Sequence, residues 1–200
     1  MKLGCVVLAS GEGRRFRGHG ASGSKLLAPI AGVPLIVKTV RGIPSELFEV
    51  VVATRLDEIA CELARVGCPV RIALHGSTLR SDSIRAGLAQ GVERWDGALF
   101  LPGDQPLVSH ESFYALASAF EADPLRAYRL SWHGEPASPV LFPASLFPAL
   151  MRLQGRDGGA SLLRSGIVDV ALVEAQRACE LLDVDVPADI ERIEACCASH

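Results

Sequence analysis

A small, basic, glycine-punctuated run, Leu8-Ala9-Ser10-Gly11-Glu12-Gly13-Arg14-Arg15-Phe16, follows a short apolar stretch from Gly4 to Ala9, and a glycine-rich segment then leads to Lys25. Residues of these types in this order suit anion binding. Glycines allow backbone amides to approach an anion closely, because no Cβ intervenes and positive φ is permitted. Arg14, Arg15 and Lys25 add full positive charge beside those amides. A triphosphate carries about four negative charges, which amide dipoles alone would leave under-compensated. The run therefore reads as a nucleotide-phosphate loop at the carboxyl end of a first strand. The bland alternative is a plain strand-to-helix turn, and the three cations tell against it.

Two better-known phosphate loops do not fit. The dinucleotide fingerprint G-x-G-x-x-G fails at Phe16, and the run Val50-Val51-Val52-Ala53-Thr54 ends in Arg55 rather than an acidic ribose ligand. The P-loop requires Gly-Lys-Ser/Thr, and the chain has Ser24-Lys25-Leu26.

Carboxylates come next. Asp104, in Pro102-Gly103-Asp104-Gln105-Pro106-Leu107, follows a buried apolar run. An aspartate at such a strand end is placed for Mg2+, which takes one or two protein carboxylates and completes its shell with phosphate oxygens and water. An Asx turn is the structural alternative. Asp183 and Asp185 flank Val184, and strand alternation would put both on one face. One could be a second metal carboxylate, the other a helix cap ahead of Pro187. Ser81, Asp82, Ser83 and Arg85 open a helix that offers hydroxyls to a base or ribose, or merely caps itself. His75, His110 and His133 lie among unlike neighbours and receive no catalytic role, and no Ser-His-Asp set is recognisable.

The elements that must position these groups alternate. Apolar strands are expected at 4–9, 49–54, 70–74 and 97–101, separated by helices from Leu35 to Arg41, after Asp57 as cap, and after Ser81. Such β-α repetition predicts an α/β fold with a doubly wound, mostly parallel sheet between helical layers. Further on, Ser109 caps a helix to Phe120 and Ala127 to Trp132 is a strand. Gly134 to Pro139 is expected to be a loop because of its two prolines. Helices follow at 146–153 and 160–164, strands at 168–173 and 181–183, and a closing helix from Pro187 to Ala195. The chain reads as one domain, with residues 1–108 a nucleotide half and 109–200 an acceptor half.

The 200 residues are 49% hydrophobic with a net charge of −3, which suits a single core and gives no pull toward nucleic acid or a membrane surface. No targeting or membrane-spanning run is visible, so a cytoplasmic location is expected. Six cysteines show no C-x-x-C spacing, which excludes a zinc site of that pattern and leaves buried or tail thiols.

Taken together, these residues resemble the MobA-like nucleotidyltransferases, in particular the MocA-type molybdenum cofactor cytidylyltransferases. Leu8 to Phe16 with Lys25-Leu26-Leu27 is similar to the family signature L-A-x-G-x-x-x-R-x-G-x-x-K-L-L, and Gly32-Val33-Pro34-Leu35 to its following G-x-P-L. Ser83 to Leu88, Gly103 to Leu107, Pro139 to Phe142, Gly158-Gly159-Ala160 and Leu182 to Pro187 resemble later family segments in the right order. The chain departs from the pattern in its long 17–24 link, in Val186 where Thr is frequent, and in the order Gly155-Arg156-Asp157. The link between Gly18 and Ser24 is expected to be mobile when the site is empty.

The resemblance implies a Rossmann-like fold of the nucleotide-diphospho-sugar transferase type. It implies transfer of CMP from CTP to the phosphate of a molybdopterin-type acceptor, with Mg2+ as cofactor and pyrophosphate as leaving group. On this reading Leu8, Ala9, Ser10, Gly11, Glu12, Gly13 and Arg14 bind the nucleotide phosphates, with Ser83 and Gly87 on the base side. Arg15 and Lys25 carry its negative charge, and Asp104 with Asp185 holds the metal. CTP rather than GTP rests on the Ser10 side chain and on Gln105 after Asp104. The product's recipient would be a molybdenum hydroxylase. Alternatives are a transferase for sugar phosphates or another phosphorylated acceptor, a non-catalytic nucleotide or pterin carrier, and an NAD-dependent oxidoreductase weakened by Phe16 and Arg55.

Overall fold

A computed structural model describes residues 1–18 and 23–198. The expected mobile link falls largely on 19–22, outside the described residues.

The strands are β1 (Leu3–Leu8), β2 (Pro29–Ile30), β3 (Val33–Pro34), β4 (Phe48–Thr54), β5 (Arg71–Leu74), β6 (Gly97–Pro102), β7 (Ala127–Trp132), β8 (Glu135–Pro143) and β9 (Val170–Glu174). The helices are α1 (Arg14–Gly18), α2 (Leu35–Arg41), α3 (Asp57–Arg65), α4 (Arg80–Leu88), α5 (His110–Ala122), α6 (Phe147–Leu150), α7 (Ala160–Arg164) and α8 (Pro187–Ala198). Seven strands make one sheet in the order β5-β4-β1-β6-β8-β7-β9, and β2 pairs with β3 as a small ribbon. Within the large sheet only β8 runs against the rest. The mostly parallel, doubly wound sheet expected from the β-α repetition is present.

Because both faces are covered, the central strands are apolar throughout rather than alternating. Cys5, Val7, Val50, Val52, Leu99 and Leu101 face one core with α2, α3 and α5. Val6, Val51, Ala53, Ala98 and Phe100 face the other, under α4 and α6. Fully burying side chains of this size is worth about 1.5–3 kcal/mol each, so neither layer can be shed.

Topology sets the site. From β1 the chain winds outward through β4 to β5, then returns to the other side of β1 as β6. The order reverses between β1 and β6, where open α/β sheets form a ligand crevice beyond the carboxyl ends of their strands. Leu8 pairs with Ala53 on one side and Pro102 on the other, so the loops after β1 and β6 emerge at one level.

Three local expectations need correction. Residues 134–139 are not a loop: Glu135 to Pro139 lies within β8. Pairing of β8 with β6 begins only at Val140, and the β7 register is irregular between Arg129 and Ser131, so both prolines avoid a doubly bonded position. Residues 181–183 are not a strand; a 3₁₀ turn at Ala178–Leu181 leads into irregular backbone. Asp57 is the first residue of α3 and not its cap, Leu56 holding that position. By contrast, the Ser109 Oγ accepts the Ser112 amide, capping α5.

Candidate active site

A cleft of about 430 Å³ opens at the carboxyl ends of β1 and β6. Its floor is the loop after β1. Gly13 takes φ +58°, a conformation costly for other residues, and a Cβ there would approach Lys25 Cβ at 3.3 Å. The Gly13 carbonyl accepts the Arg17 amide at 3.0 Å and so starts α1. Leu8, Ser10, Gly11, Glu12 and Arg14 line the cleft. Arg14 is paired with Glu12 at 2.5 Å.

On the far side of β1, Gly103 closes the approach of two strand ends. Its amide donates to the Leu8 carbonyl at 3.0 Å, and a Cβ would meet that same oxygen at 3.1 Å. The turn it makes delivers Asp104 to the cleft. Lys25 Nζ lies 2.6 Å from Asp104 Oδ2 and 3.9 Å from Asp185 Oδ1, and its side chain is only 12% exposed. Arg15 does not line the cleft; it donates to Asp185 Oδ2 at 2.7 Å from an open position.

The segment carrying Asp183 and Asp185 is held against β6 by the Val184 amide, which donates to the Asp104 carbonyl at 3.1 Å. Asp104 and Asp185 thereby crowd Asp183. Partial loss of solvent, and after it the like charge of Asp104, pushes the Asp183 carboxyl up to about 6. Beside it Gln105 is buried, and its Oε1 has no hydrogen-bond partner. Among the described residues no three His, Cys, Asp or Glu side chains stand together as a self-sufficient metal site. The donor set is one of hard oxygens, with surplus negative charge and an orphaned carbonyl. It fits a cation such as Mg2+, which leaves part of its shell to water and phosphate.

Of the predicted base-side residues, Ser83 lines the cleft and Gly87 does not. A Cβ on Gly87 would lie 2.2 Å from Val6 Cγ1, so this glycine lets α4 press on β1 and has no part in the cleft. Ala9 is fully buried beneath the loop, its amide donating to the Ala53 carbonyl at 2.9 Å.

Sequence reasoning assigns no site role to four side chains that the structure brings here. His75 Nε2 is 2.7 Å from Ser10 Oγ. The Ser77 amide donates to His75 Nδ1 at 3.4 Å, so Nε2 carries the proton and donates to Ser10, whose hydroxyl turns to the Ala53 carbonyl at 3.2 Å. Burial lowers the His75 pKa and keeps the ring neutral near pH 7. Arg55 Nε donates to the Ser10 carbonyl at 3.2 Å, fixing the loop from a second side. Arg80 and Arg156 also line the cleft. No local pattern marks the Ser10–His75 pair, which spans 65 positions.

A glycine-punctuated loop, a lysine–aspartate pair and further carboxylates gather at the switch point of a mostly parallel sheet, the place where open α/β folds take nucleotides. Residues 5–175 match the MobA-like NTP transferase domain. The chain belongs to that family and is by that membership a nucleotidyltransferase. It is 28% identical to the purine catabolism protein PucB of Bacillus subtilis, over 94% of each chain. A nucleotidyl transferase of Methanothermobacter superposes with a TM-score of 0.84 at 25% identity, over 99% of this chain and 98% of that one. Rv0371c of Mycobacterium tuberculosis, in a complex with manganese, shares the fold at a TM-score of 0.75 and 22% identity, over 98% and 99%.

Proposed function

We propose that the chain moves CMP from CTP to the phosphate of a molybdopterin-type cofactor and releases pyrophosphate. The observation that carries this reading is the convergence of Lys25 and Asp104, 2.6 Å apart, beside the glycine loop at the switch point. In this reading the buried Lys25 cation meets a triphosphate as it turns away from the backbone amides. An acceptor phosphate oxygen attacks the α-phosphorus, the new P–O bond forms, and the bond to the β-phosphate oxygen breaks. The acceptor is already ionised, so no side chain need remove a proton. Catalysis is then positioning and charge stabilisation.

Amides of Ser10 to Arg14 cradle the phosphates, and Lys25 neutralises charge that gathers on the leaving pyrophosphate. Asp104, with Asp185, would hold Mg2+, which when bound supplies further neutralisation of phosphate charge. Residues 1–108 form the nucleotide half and 109–200 the acceptor half. Ser10 favours cytidine, because its side chain occupies space that a glycine would leave for a purine.

The test is pyrophosphate release with each of CTP, GTP, ATP and UTP plus Mg2+, against molybdopterin and against sugar 1-phosphates. Release with CTP and the pterin alone, lost in Asp104→Ala, is the expected result. Turnover with a sugar 1-phosphate and none with the pterin would remove the acceptor assignment. CTP binding without release would make the chain a carrier.

A further inference from the structure

The cleft has two walls of different origin. Lys25 and the following Leu26 belong with α2 to one side of the sheet, whereas α4 and the turn before α7 pack on the other. Arg80 and Arg156 project from that second wall. Among the described residues neither guanidinium has a carboxylate within ion-pair distance, unlike Arg14 and Lys25. The cleft thus gathers four cations against two carboxylates, Glu12 and Asp104, both of them already engaged.

The frame around the two arginines is built. The Gly155 carbonyl accepts from the Ser81 hydroxyl at 2.9 Å and from the Ser81 amide at 3.3 Å. Arg85 Nη1 donates to the Leu153 carbonyl at 2.5 Å. The turn carrying Arg156 is therefore pinned to α4 at Leu153 and at Gly155, just ahead of the arginine. Asp157, the one acid beside Arg156, is occupied elsewhere: its Oδ1 accepts the amides of Gly159 and Ser161 at 2.9 and 3.4 Å. Likewise Asp82 is spent on Arg85. Gly158 lies over the Arg80 stem, where a Cβ would meet Cδ at 2.5 Å. Two guanidiniums set into one cleft without counter-charge repel each other until an anion arrives, and Arg is the residue suited to gripping a phosphate through two parallel hydrogen bonds.

We propose that Arg80 and Arg156 form a second anion subsite, apart from the glycine loop, that grips the phosphate monoester of the acceptor. This rests on the nucleotidyl-transfer reading and extends it, since the acceptor is then selected by its phosphate on the wall opposite Lys25. The unusual order Gly155-Arg156-Asp157 acquires a reason: it turns the arginine to the cleft and the aspartate to the helix end.

The experiment loads the protein with the α,β-methylene analogue of CTP and Mg2+, then titrates methyl phosphate while watching its 31P signal. Wild type should bind methyl phosphate in this loaded state. Arg80→Gln and Arg156→Gln should each weaken that binding at least tenfold and leave analogue affinity within about twofold, while Arg156→Lys keeps part of it. Equal methyl phosphate binding in wild type and variants would overturn the subsite. So would no binding to the loaded wild type, or parallel loss of analogue and methyl phosphate, which would assign the arginines to the nucleotide. Failure of the analogue to bind wild type at all would remove the nucleotide reading itself, and the subsite with it.

Discussion

Lys25 and Asp104 join two turns across the cleft. Their 2.6 Å contact links the 3₁₀ turn Lys25–Leu27 to the turn after β6, and both side chains are less than a quarter exposed. A charge-assisted hydrogen bond in that setting ties the two turns together across the floor of the cleft. Asp104→Asn should lower unfolding stability by about 1–3 kcal/mol, because it weakens the bond and leaves an under-compensated ammonium. The double variant Lys25→Met/Asp104→Asn should lose less than the sum of the two single changes. Urea unfolding of the four proteins gives the coupling; strict additivity would show the contact to be idle. Lys25→Met should also cost about 10²–10³ in turnover if the lysine neutralises the leaving group.

The frame of this crevice was readable because apolar runs and glycines report backbone needs locally. The loop from Leu8 to Arg14 and the strand preceding Asp104 each announce themselves within a dozen residues. Contacts between distant segments leave no such mark. His75 carries no signal in the sequence, because nothing beside it in the chain points to Ser10 as its partner. Gly134 to Pro139 misled for a different reason: proline forbids only a ladder position that needs its N–H, and β8 has bonding on one side there. The sequence offers one of Asp183 and Asp185 as a second metal carboxylate and expects a strand there; the backbone is irregular instead, and the Val184 amide, bonded to the Asp104 carbonyl, brings the segment beside Asp104.

His75 predicts a pH effect with a definite sign. Burial depresses its folded pKa below the unfolded value of about 6.5. Below that pH the unfolded chain takes up the proton first, so stability present near neutrality is lost as pH falls toward the folded pKa. The stability difference between wild type and His75→Gln should therefore shift against wild type between pH 7 and 5. Denaturant melts of both proteins across that range measure it. A difference that moves the other way would mean that the fold favours the charged ring, and no difference would mean that burial leaves its proton affinity unshifted.

Gly87 should behave as a packing residue. Gly87→Ala gains about 0.8–1 kcal/mol in helix propensity, but its Cβ would lie 2.2 Å from Val6 Cγ1. Overpacking of this kind costs about 1–3 kcal/mol, so a net loss is expected, relieved in Val6→Ala/Gly87→Ala. CTP affinity of the single variant should stay within twofold. A stable variant with lost CTP binding would return Gly87 to the nucleotide site.

Ser10 offers the sharpest test of nucleotide choice. Its hydroxyl is not free to meet a base, since it accepts from His75 and donates to Ala53. Any preference for cytidine must come from space that Ser10 fills while His75 holds it there, not from a hydrogen bond to the base. Pockets that discriminate by one or two heavy atoms commonly achieve about 10–200-fold. Ser10→Gly should then narrow the CTP-to-GTP affinity ratio by about tenfold or more, chiefly by improving GTP. His75→Ala should move the ratio the same way by a smaller factor, because it frees the serine without removing it. Calorimetric titration of both nucleotides against the three proteins separates these outcomes. If Ser10→Gly weakens both nucleotides equally, the serine shapes the phosphate loop and selection of the base lies with another residue of the cleft.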